Sequence, residues 1–481
     1  MKKILSFIIA FAMIISMSSV ALAADMNAAD FQNAINEAAA GGGTYALTGN
    51  VNITGSGDVT IDLKGVEIDS GTYSIIITND ADVTVTGGGS ISGSGHIFKL
   101  GKKGEANTGA TLTIESGVSV SSSDGWCVAL YSDSTLNTSG TLRADGGYAP
   151  VLNSGGDVYG NTTINVMGGS ITHPSDLAIY NPGNGVVNVS GGTITGAAGI
   201  EMRRGTLNVT GGTITATGDY IEPHANNSGS TLTSGVAVAV SEHLTNEKIS
   251  VNITGGTLNA TGTDGKALYA YDVENTIEGE ASTLKIEDGT FNAPVVVEPS
   301  AHLDDDGFIS GGIFSKDPSE YVAKNTPISK VTDASGNTIY AVGEKATKAA
   351  ATPGSTVEVI KGSVTLNDGT TINEGESHIV PKPSSGNGIK VKYEGGNSFS
   401  TSKSAVPTSV EIDGVAVGFT GDGKLFTVNS IPAGAKWVTV RWNSTSVTTN
   451  FTPSGAYAAQ VEIPKTGDMP LRAAVLAVFG F

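Results

Sequence analysis

Nine short segments of this chain repeat one frame, and that recurrence constrains the fold more than any other feature. They are VTVTGGGSIS (83–92), LTIESGVSVS (112–121), LNTSGTLRA (136–144), INVMGGSIT (164–172), VNVSGGTIT (187–195), LNVTGGTIT (207–215), VNITGGTLN (251–259), LKIEDGTFN (284–292) and GFISGGIFS (307–315). The frame alternates apolar and polar residues, passes through one or two glycines, then resumes with Thr or Ser and another apolar residue. Most copies start about 20–30 residues apart, and the two widest gaps are 33 and 44. A period of this size marks a solenoid, in which each repeat buries its apolar face only against its neighbours.

Alternation places Val187 and Val189 on one face and Asn188 on the other. The same holds for Leu207 and Val209 around Asn208, and for Val251 and Ile253 around Asn252. The glycine pair then bends the chain, because glycine reaches positive φ without steric cost. A second short strand follows, with Ile194, Ile214 or Leu258 pointing inward. Many repeats add a third apolar patch: CVALYS (127–132), LAIYN (177–181), AGIEM (198–202), VAVAVS (236–241) and ALYAYD (267–272). Two or three strands per turn, joined by glycine, predict an all-β chain built on a parallel β-helix over residues 44–343. The wide gaps at 212–250 and 259–283 read as long loops or as one degenerate coil. The 65 glycines in 481 residues suit frequent turns, and they lack the three-residue period of collagen. A β-sandwich or propeller would space its strands more evenly and would not repeat the GGT signature.

The first 24 residues read as a signal peptide: Lys2 and Lys3, an apolar run from Ile4 to Val20, and an Ala21-Leu22-Ala23 cleavage site. Export is expected. No other stretch approaches the roughly 20 apolar residues that span a bilayer, so no lipid-bilayer domain is expected in the mature chain. Residues 25–43 predict an N-terminal capping helix, with Phe31 and Ile35 on one face, Asn27 at its start and Gly41 at its end. It would cover the strand edges that a solenoid exposes at its terminus. Residues 344–356 read as a linker. A small β-sandwich-like domain follows at 357–462, with strands at IKVKY (389–393), VAVGF (415–419), LFTV (425–428), WVTVRW (437–442) and AAQVEI (458–463).

The formal net charge is −19, and loss of Lys2 and Lys3 with the leader makes the mature chain more negative still. Such a balance excludes a nucleic-acid footprint and opposes docking on anionic lipid. The lone cysteine, Cys127, lies beside Trp126 in an apolar patch and reads as a buried core thiol.

Three stretches resemble exported repeat proteins of the Gram-positive cell surface. VTIDLKGVEIDSG (59–71), followed by VTVTGGGSISGSG (83–95), resembles the opening coils of pectate-lyase-like right-handed β-helices. ISGGIFSKDPSEYVAKN (309–325) resembles the closing coil of Firmicutes proteins of that kind. Ile463-Pro464-Lys465-Thr466-Gly467-Asp468 resembles an LPxTG sorting signal with Ile in place of Leu. The last resemblance implies that sortase cuts between Thr466 and Gly467 and joins Thr466 to peptidoglycan. The tail that follows, MPLRAAVLAVFGF (469–481), is shorter than a full sorting signal requires and carries Arg472 within it.

The polysaccharide lyases and hydrolases that this fold resembles use carboxylates from neighbouring coils, sometimes with Ca²⁺ or a basic residue. One carboxyl must donate a proton while the other stays ionised. Asp176, Glu201, Asp219 and Glu222 are the candidates, with Arg203 and Arg204 beside Glu201. Asp176, Glu201 and Arg203 are the expected catalytic set should the chain be an enzyme, or an acidic-sugar site; the alternative is a solvated ion pair. His224 sits in an inter-coil loop, and His302 precedes Asp304, Asp305 and Asp306. Those three carboxylates are either a Ca²⁺ site or a solvated turn.

Asn165, Asn188, Asn208 and Asn252 share one frame position, and stacked coils would set the first three in a row. They form either an amide ladder or a polar platform for sugar hydroxyls. Rows through Thr193/Thr195 and Thr213/Thr215 also raise an ice-binding reading, which the varying loop lengths oppose. Trp126, Tyr131 and Tyr148 could stack on sugar rings. The reading that results is a non-enzymatic, adhesin-like or glycan-contacting protein of the cell surface or wall, with extracellular glycan or a host surface, and sortase, as partners. A secreted polysaccharide lyase or glycoside hydrolase, and a structural spacer, are its alternatives.

Overall fold

Inward residues of successive repeats stand directly over one another. The computed structural model describes residues 25–154, 160–225, 231–242, 248–272, 280–303, 307–346, 354–366, 370–380, 389–432, 435–442 and 445–451. In it Ile164 pairs with Val187, Val187 with Leu207 and Leu207 with Val251, all in parallel register. Val166, Val189, Val209 and Ile253 form the next inward row. Past the glycine turn, Ile171, Ile194, Ile214 and Leu258 align. The third strand aligns Ile179, Ile200, Val238 and Leu268. All these side chains are buried, so each coil covers the apolar face of its neighbour. The fold is a parallel β-helix with three strands per coil.

Two of the three strands join one parallel sheet. The third builds a separate sheet running through Val51–Thr54, Ile75–Thr78, Phe98–Leu100, Val128–Leu130, Val151–Asn153, Leu177–Asn181, Ala198–Met202, Val236–Ser241 and Lys266–Tyr271. Coils of unequal length keep this register. Ala198–Met202 pairs directly with Val236–Ser241, and the strands Gly205–Val209 and Thr213–Ala216 complete that coil, so the excursion between Ala216 and Val236 is a loop and not an extra coil. That loop carries a short antiparallel pairing of His224–Ala225 with Thr231–Leu232.

Glycine is required where coils approach most closely. Gly169 has φ +64, and a Cβ there would fall 1.9 Å from the Gly140 carbonyl oxygen. Stacked turns of this kind explain why the GG signature recurs in the sequence.

The N-terminal helix spans Ala28–Gly41. Asn27 caps it by accepting from the Asp30 N–H at 3.0 Å, and Gly42 ends it in the left-handed conformation. Phe31 and Ile35 are buried. Gln32 pairs with the backbone of Asp62 on both sides, accepting at 2.8 Å and donating at 2.9 Å. Met26 pairs likewise with Asn50 and Asn52. The terminal coil's exposed ladder groups thereby find partners, which is what an edge needs to resist intermolecular pairing.

The chain divides into two compact units, Met1–Leu284 with Val296–Asp304, and Lys285–Val295 with Asp305–Phe481. In the second unit Phe291 pairs in parallel with Phe314, their rings stacked at 4.6 Å. One isolated parallel bridge follows, Ile309 with Val322. Ile328–Thr332 and Thr338–Val342 pair antiparallel, which corrects the β-helix boundary expected at 343. The reason is local. Asp333 accepts from the N–H groups of Ser335 and Asn337 and from the Asn337 side chain, closing a hairpin turn.

The expected linker and domain boundaries also shift. Ala346, Val357, Val359, Val364, Leu366, Ile372 and Val380 share one core with Ile313, Val331, Ile339 and Ala341. Residues 344–346, 354–366 and 370–380 therefore belong with the hairpin. A separate core of Val391, Phe399, Val410, Ile412, Phe426, Val428, Val438, Val440, Trp442, Val447 and Phe451 follows. Two four-stranded antiparallel sheets supply it, matching the expected β-sandwich over a shorter span. The expected signal peptide, the strand expected at 458–463 and the expected sorting motif at Ile463–Gly467 lie outside the described residues.

Leu207 is fully buried in the central row. Leu207→Ala is expected to destabilise the first unit by about 2–5 kcal/mol, read from its urea midpoint. Gly169→Ala is expected to lower the midpoint too, and Thr195→Ala on the outer face to leave it nearly unchanged. Equal midpoints for all three would contradict a continuous shared interior.

Candidate functional site

Outward positions of the first sheet are fixed by hydrogen bonds between coils. Asn252 donates to Asn208 at 3.0 Å, Asn208 to Asn188 at 2.9 Å, Asn188 to Asn165 at 2.8 Å and Asn165 to Asn137 at 2.8 Å. Asn137 donates in turn to the Thr113 hydroxyl at 3.2 Å. The amide ladder thus forms. It includes Asn137, which sequence reasoning passed over, and Asn252, which joins across the widest gap. Each central amide keeps one N–H and one oxygen lone pair beyond those the ladder uses.

Beside the ladder, Thr141, Ser170, Thr193, Thr213 and Thr257 align in one row. Thr172, Thr195, Thr215 and Asn259 align in the next, with the Asn259 amide donating to Thr215 at 3.2 Å. Loop length does not disturb these rows, contrary to the objection raised from the sequence. Arg143, in an ion pair with Asp145, interrupts the second row.

The expected catalytic set does not assemble. Tyr180, Glu201, Ala239 and Tyr269 form an outward row of the separate sheet. Glu201 is 0% exposed and accepts from the Thr233 hydroxyl at 2.8 Å. Thr233 also meets the Tyr271 hydroxyl at 3.0 Å. Arg203, 6% exposed, donates to the Tyr180 hydroxyl at 3.0 Å. Asp176 lies elsewhere. Its carbonyl accepts from Ala197 N–H at 2.9 Å, four residues before Glu201 and so about 13 Å away along the strand. Its carboxylate accepts from its neighbour Leu177 N–H at 2.7 Å. Glu201 and Arg203 therefore share a sealed polar cluster, out of reach of an acidic sugar, and Asp176 serves a turn.

The other polar candidates have local roles. The exposed Asp219 carboxylate accepts from the Thr263 N–H at 2.7 Å, and that contact holds its pKa below the usual range. His224 contacts the Glu222 carbonyl at 3.3 Å. Glu242 accepts from the His302 N–H at 2.7 Å, and burial raises its pKa. Asp304, Asp305 and Asp306 lie outside the described residues. Among the described residues no group of three His, Cys, Asp or Glu side chains is placed to hold a metal ion, and no helix is long and apolar enough to cross a membrane.

Two aromatic sites flank the sealed cluster. At the first, the His96 ring stacks on Trp126 at 4.0 Å, and Tyr148 stands edge-on to both at 5.6 and 5.3 Å. Tyr148 is 41% exposed. Tyr131 is instead buried with Ala129 and Leu152, which raises its hydroxyl pKa. His96 Nδ1 accepts from the Trp126 N–H at 3.1 Å, so the ring is held neutral. Burial lowers its pKa, Lys99 adds to the effect, and Asp124 opposes it.

At the second site, the Tyr220 hydroxyl donates to Glu222 at 2.9 Å and meets the Tyr269 hydroxyl at 3.1 Å. Tyr269 donates to Glu298 at 2.9 Å. The two rings meet edge to face, and Lys266 Nζ lies 4.1 Å from the Tyr220 ring centre. Burial, with Glu222 and Glu298 nearby, pushes the Tyr220 hydroxyl up to about 12, and burial raises that of Tyr269. Of these groups only Glu222 was a candidate from sequence. Cys127 is buried as expected, and burial pushes its thiol up to about 12.

No family model matches this chain, and no curated protein and no solved structure matches it.

The unfolded imidazole titrates near 6.5, and His96 in the fold takes its proton less readily than that. The stability it contributes is thus present above pH 6.5 and lost as pH falls through the folded value. Trp126 emission is expected to change over that acidic range, reversibly, and His96→Gln to remove the change. An unaltered titration in His96→Gln would refute the assignment. The raised thiol pKa carries a second expectation: a disulfide reagent at pH 8 leaves Cys127 unmodified until the chain is unfolded.

Proposed function

We propose that this chain is an exported, non-enzymatic cell-surface protein that contacts glycan through the Ser/Thr/Asn face of its β-helix. One observation carries the reading: hydroxyl and amide side chains stand in register over successive coils, held in place by bonds between coils. Sugar hydroxyls are matched by such donors and acceptors, and prior fixation reduces the side-chain entropy lost on binding. The leader-like start and the LPxTG-like motif support export and sortase attachment. The acidic surface suits a protein that stays soluble outside the cell.

The test combines a glycan array with assays for reducing ends and unsaturated products. Binding without turnover is expected. Thr193→Glu with Thr213→Glu is expected to weaken binding at least 10-fold, because two carboxylates would replace hydroxyls in one row. Turnover by the wild-type chain would overturn the non-enzymatic reading. Absence of any bound glycan would sink the proposal in favour of a spacer.

A further inference from the structure

The second aromatic site is short of a proton. Glu222, Tyr220, Tyr269 and Glu298 form a chain of three oxygen–oxygen links of 2.9, 3.1 and 2.9 Å. Ionised carboxylates only accept, and each phenol supplies one hydrogen. Two hydrogens cannot fill three links. When Tyr220 serves Glu222 and Tyr269 serves Glu298, the two phenol oxygens face each other without a hydrogen. When Tyr220 turns to Tyr269, exposed Glu222 is left to donors from solvent or a ligand.

An incoming hydroxyl or ammonium resolves the count. It donates to Glu222, and Tyr220 is released to donate to Tyr269. Glu222 is exposed and Tyr220 and Glu298 are half-buried, so the chain is open to solvent at one end. The charge nearby is acidic. Glu222, Glu298, Asp219 and Asp264 outnumber Lys266, which lies over the Tyr220 ring and donates to the Asp264 carbonyl at 2.8 Å. His224 is beside Glu222. A ligand carboxylate or sulfate would meet uncompensated like charge.

We propose that Glu222, Tyr220, Tyr269 and Glu298 form a subsite for a sugar ring that donates hydrogen bonds and carries no acid group, neutral or amino-bearing. The subsite rests on the glycan-contacting reading and adds a ligand class to it. It lies apart from the Ser/Thr/Asn face, on the separate sheet and the loop beside it.

The experiment uses the full chain on an array divided into neutral, amino-bearing and uronate glycans, with isothermal titration on the best soluble binder. Neutral or amino-bearing glycans are expected to bind and uronates to bind at least 10-fold more weakly. Tyr220→Phe and Glu298→Gln are each expected to weaken binding at least 5-fold. Glu222→Gln is expected to weaken it as much while keeping or raising the urea midpoint, because its amide supplies the missing donor. Wild-type affinity in all three variants, or preference for uronates, would overturn the subsite and leave the broader reading standing. Failure of the wild-type chain to bind any glycan would overturn both.

Discussion

The structure depends on register between coils. Each coil is too thin to bury its own apolar residues, so Val187 is dry only because Ile164 and Leu207 lie on either side of it. A slip of one residue would turn every valine outward and every asparagine inward. Two devices oppose that slip. The glycine turns stack with room for no Cβ, as at Gly169. The asparagine ladder closes only when one amide faces another, each link contributing about 0.5–1.5 kcal/mol. The ladder therefore adds specificity more than stability, and it continues through Asn252 after the longest excursion.

That continuity explains why insertions are harmless here. A loop leaving Ala216 and returning at Val236 affects neither the row before nor the row after, because ladder pairing is decided at its two ends. The loop is also fastened where it crosses the sheet. Thr233 bonds Glu201, Tyr220 bonds Tyr269, and Asp219 bonds Thr263. The sealed Glu201 and Arg203 cluster follows from this fastening. Glu201 is bonded by the loop's Thr233 hydroxyl and Arg203 by the Tyr180 hydroxyl of the preceding coil, so both buried polar groups have partners, as burial requires.

Legibility in the sequence followed sequence distance. The repeat, the capping helix and the core thiol could be read because their signals are local: alternation, Asn27 before Phe31, an apolar patch around Cys127. The alignment of Asn165, Asn188 and Asn208 was readable too, since adjacent repeats of near-equal length share a frame. Failure began where a contact spans unequal coils. Tyr220 and Tyr269 are 49 residues apart, and no periodicity links them. His96 meets Trp126 because their coils are adjacent, which becomes visible only once the third strands are aligned. Asp176 was grouped with Glu201 by coil and not by position within the coil, and four residues of strand separate the two. At the other end, the hairpin turn at Asp333 reversed the chain while its flanking strands still looked like further rungs.

The two outer faces now differ in kind. On the Ser/Thr/Asn face the side chains bond to their own equivalents one coil away, so donors and acceptors balance along the row and surplus capacity repeats at every coil. A ligand there meets the same surface at each step, which suits a polymer and discriminates weakly along its length. At Tyr220 and Tyr269 the partners are unlike, the hydrogens do not balance, and the imbalance occurs at one place. On the proposed reading, selectivity between sugars belongs at such a place, where unlike partners and local acidic charge distinguish one ring from another.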